Sequence, residues 1–86
     1  MRLLLVEDDA LLGDGLAVGL TQAGFEVDWV RDGVAALHAA DAGGYAAVIL
    51  DLGLPRMGGF DVLQRIRSRG SRLPVLILTA RDAIDD

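Results

Sequence analysis

The sequence predicts an α/β domain built on a doubly wound parallel sheet, and three observations predict it. The first is a set of short, uninterrupted apolar runs, Leu3-Leu4-Leu5-Val6, Ala46-Ala47-Val48-Ile49-Leu50 and Val75-Leu76-Ile77-Leu78, each of strand length and apolar enough to be buried on both faces. The second is that segments with helical spacing and helix-capping residues separate the strands. The third is the placement of acids: Glu7-Asp8-Asp9 follow the first run and Asp51 follows Leu50. In parallel α/β sheets ligands bind outside the carboxyl ends of the strands, where the strand order reverses. If those two strands are neighbours, four carboxylates converge on one pocket, a cation site with a candidate nucleophile in it.

Taken in order, Arg2 to Val6 is the first strand. Asp8 or Asp9 then caps a helix whose apolar stripe includes Leu12, Leu16 and Leu20 at i, i+4 spacing. Gly13, Gly15 and Gly19 lie within it and are read as close approach of the helix to the sheet; Gly24 is placed to end it. Phe25 to Val30 alternates apolar residues with Glu26 and Asp28, as a half-exposed edge strand does. Asp32 or Gly33 starts a second helix, Val34 to Ala42, closed by Gly43-Gly44. Its lone His38 is read as a solvated residue.

The third strand ends at Asp51. The loop from Leu52 to Gly59 is dense in Gly and Pro, as a tight loop over a ligand would be. A third helix from Phe60 to Arg69 buries Val62, Leu63 and Ile66, and Arg65, Arg67, Arg69 and Arg72 form a solvated face at its end. Pro74 opens the fourth strand, Thr79 follows Leu78, and Arg81 to Asp86 resemble the first turn of a fourth helix. The βαβαβαβ order implies right-handed crossovers with helices on both faces.

Bulk properties narrow the function. Eighty-six residues, 52% of them apolar, make one small globular domain. A net charge of −5 argues against a nucleic-acid surface within this stretch. There is no cysteine, hence no thiolate site or disulfide. No apolar run approaches the roughly 20 residues that span a bilayer, so a cytoplasmic domain without membrane attachment is expected. All eight basic residues are arginine.

The acids suit Mg2+, which takes oxygen ligands and is held by one or two carboxylates plus waters and a phosphate. Asp8 and Asp51 are candidate direct ligands, Glu7 acts through water, and a loop carbonyl such as that of Gly53 completes the protein's share. A carboxylate beside Mg2+ can attack a phosphoryl group and form an acyl phosphate. The Thr79 hydroxyl is placed to donate to a phosphoryl oxygen, or to cap the helix that follows.

Leu4-Leu5-Val6-Glu7-Asp8-Asp9, Val48-Ile49-Leu50-Asp51-Leu52-Gly53-Leu54-Pro55, Met57-Gly58-Gly59 and Leu78-Thr79-Ala80-Arg81 occur in the order and spacing of one family. The chain resembles the receiver domain of bacterial two-component response regulators, and looks most like the branch with a C-terminal winged-helix DNA-binding domain. The resemblance implies a flavodoxin-like receiver fold with strand order 2-1-3-4. It also implies Asp51 as phosphoacceptor from a sensor histidine kinase, Glu7 and Asp8 as the Mg2+-holding acids, the Gly53 carbonyl as a further ligand and Thr79 as the switch residue. DNA is then a partner only through a domain that this chain lacks.

Residues 1–86 correspond to the N-terminal portion of such a domain. The fifth strand and the lysine after it, both present in the family, have no counterpart here, and the 86 residues contain no lysine. The resulting expectation is an incomplete fold of four strands and three helices that is marginally stable, associates as a homodimer or edge to edge through its fourth strand, and is phosphorylated poorly. Two alternatives compete: an interaction module without phosphotransfer, and an aspartyl phosphatase. The phosphatase reading is disfavoured because Gly53 stands where such enzymes need an acid/base carboxylate.

Overall fold

The structure, a computed structural model, describes residues 1–54 and 57–78. Strands β1 (Arg2–Val6), β2 (Glu26–Val30), β3 (Ala47–Asp51) and β4 (Val75–Leu78) alternate with helices α1 (Ala10–Gln22), α2 (Gly33–Ala42) and α3 (Gly59–Ser68). All three strand pairings are parallel, and the order across the sheet is β2-β1-β3-β4. The fold expected from the sequence is the fold observed.

The pleat divides the strand residues between two layers. Leu4, Val6, Val48 and Leu50 face α2 and α3, where they meet Ala36, Leu37, Val62 and Ile66. Leu3, Leu5 and Ile49 face the other way and are covered by Leu16, Ala17 and Leu20 of α1, with Val27 and Trp29 of β2. Each buried leucine or valine side chain is worth about 1.5–3 kcal/mol, so the larger layer under α2 and α3 holds most of the core.

Local chemistry sets the helix ends. Asp9 is the α1 N-cap, its side chain accepting from the N–H groups of Leu11 and Leu12, and Asp32 caps α2 by accepting from Ala35 N–H. Gly24, with φ +103°, turns the chain out of α1, and Gly43, with φ +81°, ends α2; both are backbone conformations that glycine adopts without strain.

Several boundaries and roles differ from expectation. Phe25 precedes the β2 ladder because its N–H closes the end of α1 on the Leu20 carbonyl. Asp51 is the last residue of β3, as expected, and pairs with Leu78, whereas the β4 ladder starts at Val75, just after Pro74. Leu12 is 41% exposed and outside the core, and Leu63 is half-buried. Close approach explains Gly13 alone: Gly15 and Gly19 have open space where a Cβ would stand. The arginine face is only partly free. Arg67 donates to the carbonyls of Ser71 and Leu73, and Arg69 pairs with Asp41 at the end of α2. His38 is exposed, as expected. Thr79 and the expected fourth helix lie outside the described residues.

Candidate functional site

The register of the two central strands builds the site. Val6 of β1 lies opposite Leu50 of β3, so the residues that follow, Glu7 and Asp51, are neighbours across the carboxyl edge of the sheet. By the alternation of the pleat, Glu7 continues the Leu3–Leu5 face and Asp51 continues the Ile49 face. Both lie on the side covered by α1. Asp8 comes next, where β1 has ended.

One carboxylate oxygen from each of Glu7, Asp8 and Asp51 lies within 4.8 Å of the other two. Three of the four acids therefore converge. Asp9 is exposed, and its carboxylate is engaged in capping α1, which takes it out of the cluster. Gly53 is exposed, and its N–H donates to Asp51 Oδ1 at 3.3 Å, which holds that carboxylate toward the loop.

Glu7 differs sharply from the other two. It is 2% exposed, whereas Asp8 and Asp51 are half-buried. Its Oε2 accepts from the Asp9 N–H at 3.1 Å, and its Oε1 has no hydrogen-bond partner among the described residues. Burial pushes the Glu7 carboxyl above its ordinary value, the Asp9 N–H pulls it back, and Asp51 and Asp8 push it up again. An acid that is buried, half-satisfied and flanked by two others is costly to ionise without a compensating charge.

Those observations fit a divalent cation. The donor set is all oxygen, the separations allow a shared ion, and an orphaned buried oxygen marks where a ligand is wanted. Mg2+, bound by hard oxygen donors, suits this set better than metals that favour nitrogen or sulfur.

Sequence reasoning missed two residues that hold this site. The Trp29 indole N–H donates to the Glu7 carbonyl at 2.9 Å, and the Arg31 guanidinium donates to the Asp8 carbonyl at 2.9 Å. Arg31 also sits over the Trp29 ring, 5.3 Å from its centroid. The alternation of Phe25 to Val30 set Trp29 among the apolar residues of an edge strand and gave no sign of where its N–H would go.

Among the described residues no helix is long and apolar enough to cross a membrane. Residues 3–86 match the response regulator receiver domain family. The chain is 54% identical over all of its 86 residues to the transcriptional regulatory protein QseB of Haemophilus influenzae, and spans 39% of that relative's length. It superposes with a TM-score of 0.89, at 32% identity, on the response regulator TrrA from Thermotoga maritima in complex with Mg2+-BeF, over 95% of this chain and 71% of that one. It also matches, with a TM-score of 0.88 and 30% identity, the structure of the histidine kinase ThkA in complex with TrrA, over 99% of this chain and 73% of that one.

Proposed function

The chain belongs to the response regulator receiver domain family of two-component signalling, and on that footing we propose that Asp51 is its phosphoacceptor and that Glu7, Asp8 and Asp51 hold Mg2+ beside it. The observation that carries this reading is the meeting of three carboxylate oxygens within 4.8 Å at the carboxyl ends of β1 and β3. The Gly53 carbonyl is assigned as a further ligand. When bound, Mg2+ supplies positive charge that neutralises the oxygens of the transferred group.

The chain's own residues do the rest. An Asp51 carboxylate oxygen attacks the phosphorus of a phosphohistidine; the P–O bond forms as the P–N bond breaks, and the imidazole leaves with the electron pair. The Gly53 N–H on Asp51 Oδ1 leaves the other oxygen to attack. Leu78 is in register with Asp51, and Thr79, next in sequence, is assigned as the residue whose hydroxyl senses the phosphoryl group.

The partner that fits this chemistry is a sensor histidine kinase. The output is control of transcription, exerted on DNA through a part of the protein outside this chain. Association of two copies through β4 is supported by Leu76, which is 61% exposed on a strand whose described ladder runs to β3 alone.

The test is phosphotransfer from a histidine-phosphorylated kinase, followed by peptide mass spectrometry. The expected product is a single hydroxylamine-labile phosphoryl group on Asp51, absent in Asp51→Asn and when EDTA replaces Mg2+. Phosphate that persists in Asp51→Asn, or that maps to another residue, overturns the assignment.

A further inference from the structure

Beyond Val6 the β1 ladder ends, yet Glu7 and Asp8 must be held still if their carboxylates are to share an ion. The backbone of this turn is secured from β2. Glu7 N–H donates to the Val30 carbonyl at 3.1 Å, the last bond of ladder type. The two carbonyls that follow are taken by side chains: Trp29 Nε1–H on Glu7 and Arg31 on Asp8. The indole itself is located by α1. A Cβ built on Gly13 would lie 2.5 Å from Trp29 Cε2 and 2.8 Å from its Nε1, so the ring occupies the space that a side chain at position 13 would need.

We propose that Trp29 is a positioning residue for the cation site: its indole N–H, in the slot left by Gly13 and beneath the Arg31 guanidinium, fixes the Glu7–Asp8 turn. The proposal rests on the assignment of Glu7 and Asp8 as Mg2+ ligands and extends it to groups that touch neither the ion nor the phosphoryl group. Trp29 acts through the backbone of the ligand residues. Its loss is expected to weaken cation binding rather than to unfold the domain, since the rest of the Leu3–Leu5–Ile49 layer stays in place.

The experiment is calorimetric titration of the protein with Mg2+, with thermal melting in EDTA alongside. Trp29→Phe keeps an aromatic ring for Gly13 and Arg31 to pack against and deletes the N–H. The expected result is Mg2+ affinity lower by about threefold to tenfold, the range one lost hydrogen bond gives, with little change in the melting temperature in EDTA. Gly13→Ala, which retains the indole but displaces it, is expected to lose affinity to the same extent and to shift the emission of Trp29, the only tryptophan in the chain.

If both variants bind Mg2+ as tightly as the parent, the positioning role is overturned while the ligand assignment stands. If affinity falls only in proportion to a loss of stability in EDTA, Trp29 is a packing residue and the proposal fails. If the parent itself binds no Mg2+, the ligand assignment fails and takes the proposal with it.

Discussion

Replacing Glu7 with Gln should make the cation-free protein more stable, although it removes a group from the candidate site. Glu7 is 2% exposed, and one of its carboxylate oxygens has no partner among the described residues. An unmade buried bond costs about 1–3 kcal/mol. The ionised side chain also faces Asp8 and Asp51 at up to 4.8 Å, where two like charges repel by roughly 3.5 kcal/mol at an effective dielectric constant of about 20. Both neighbours are half-exposed, so water reduces that figure severalfold. Glutamine keeps the shape, carries no charge and has an amide to donate to either neighbour.

The net expectation at pH 7 in EDTA is a gain of about 1–3 kcal/mol, or roughly 5–15 °C in melting temperature for a domain of this size. The pH dependence has a definite sign. With its folded value raised, Glu7 keeps its proton in the folded state at a pH where the unfolded chain has lost it. The parent therefore has its full stability below the ordinary glutamate value and loses stability as pH rises through the raised one. Glu7→Gln lacks that loss, so the gap between variant and parent should open across this window and then level off. Urea melts in EDTA at several pH values measure it. A variant no more stable than the parent at pH 7, or a gap that closes as pH rises, refutes the reasoning.

Two further substitutions probe the frame around the site. Gly59→Ala should destabilise by about 1–3 kcal/mol, as overpacking does, because the new Cβ would lie 2.6 Å from the Asp51 carbonyl oxygen and 2.7 Å from Leu52 Cα, backbone atoms that cannot swing aside; thermal melting reads the loss. Tyr45→Phe should cost less than about 1 kcal/mol, since Asp28, which accepts from the Tyr45 hydroxyl, is about half exposed. Tyr45 first, and then Arg2, hold the Asp28 carboxyl below its ordinary value. That pair therefore stabilises above the ordinary aspartate value and stops doing so as pH falls through the lowered one. The variant's melts should accordingly show a shallower acid limb than the parent's.

What the sequence disclosed follows from which interactions are local. Strand runs, caps and the glycines that end helices depend on a few adjacent residues, and Asp9, Asp32, Gly24 and Gly43 do what their positions suggest. The convergence of Glu7, Asp8 and Asp51 was legible because strand ends and strand order together determine it. Packing partners were less so. Three leucines at helical spacing look alike, but among the described residues the α1 side of the sheet has a buried hydrophobic cluster of just Leu3, Leu5 and Ile49, and Leu12 lies beyond the reach of that small patch. Gly13 and Gly15 differ only in whether Trp29 stands in front of them. Arg69 has a counter-ion because α2 happens to end beside it. Each of these depends on where two distant segments meet, which no local pattern encodes.

The same register that makes the site also makes it unstable by itself. Continuing the β1–β3 pairing past Val6 and Leu50 sets two acids side by side on one face of the sheet, an arrangement in which like charges destabilise the pair. An apolar pair there would extend the Leu3–Leu5–Ile49 layer and hold the strands more firmly. The acids can be reconciled in two ways, by a proton on Glu7 or by a cation shared among the three. These two remedies exclude one another at the same oxygens, so protonation and cation binding must compete. Below the raised Glu7 value the proton prevails and Mg2+ adds little stability. Above it the cation-free protein weakens while the cation-bound form does not, because binding to the folded state alone stabilises that state by mass action. The difference between melting temperatures in Mg2+ and in EDTA should therefore widen as pH rises through the Glu7 titration. It should vanish at every pH in a chain whose site carries no charge.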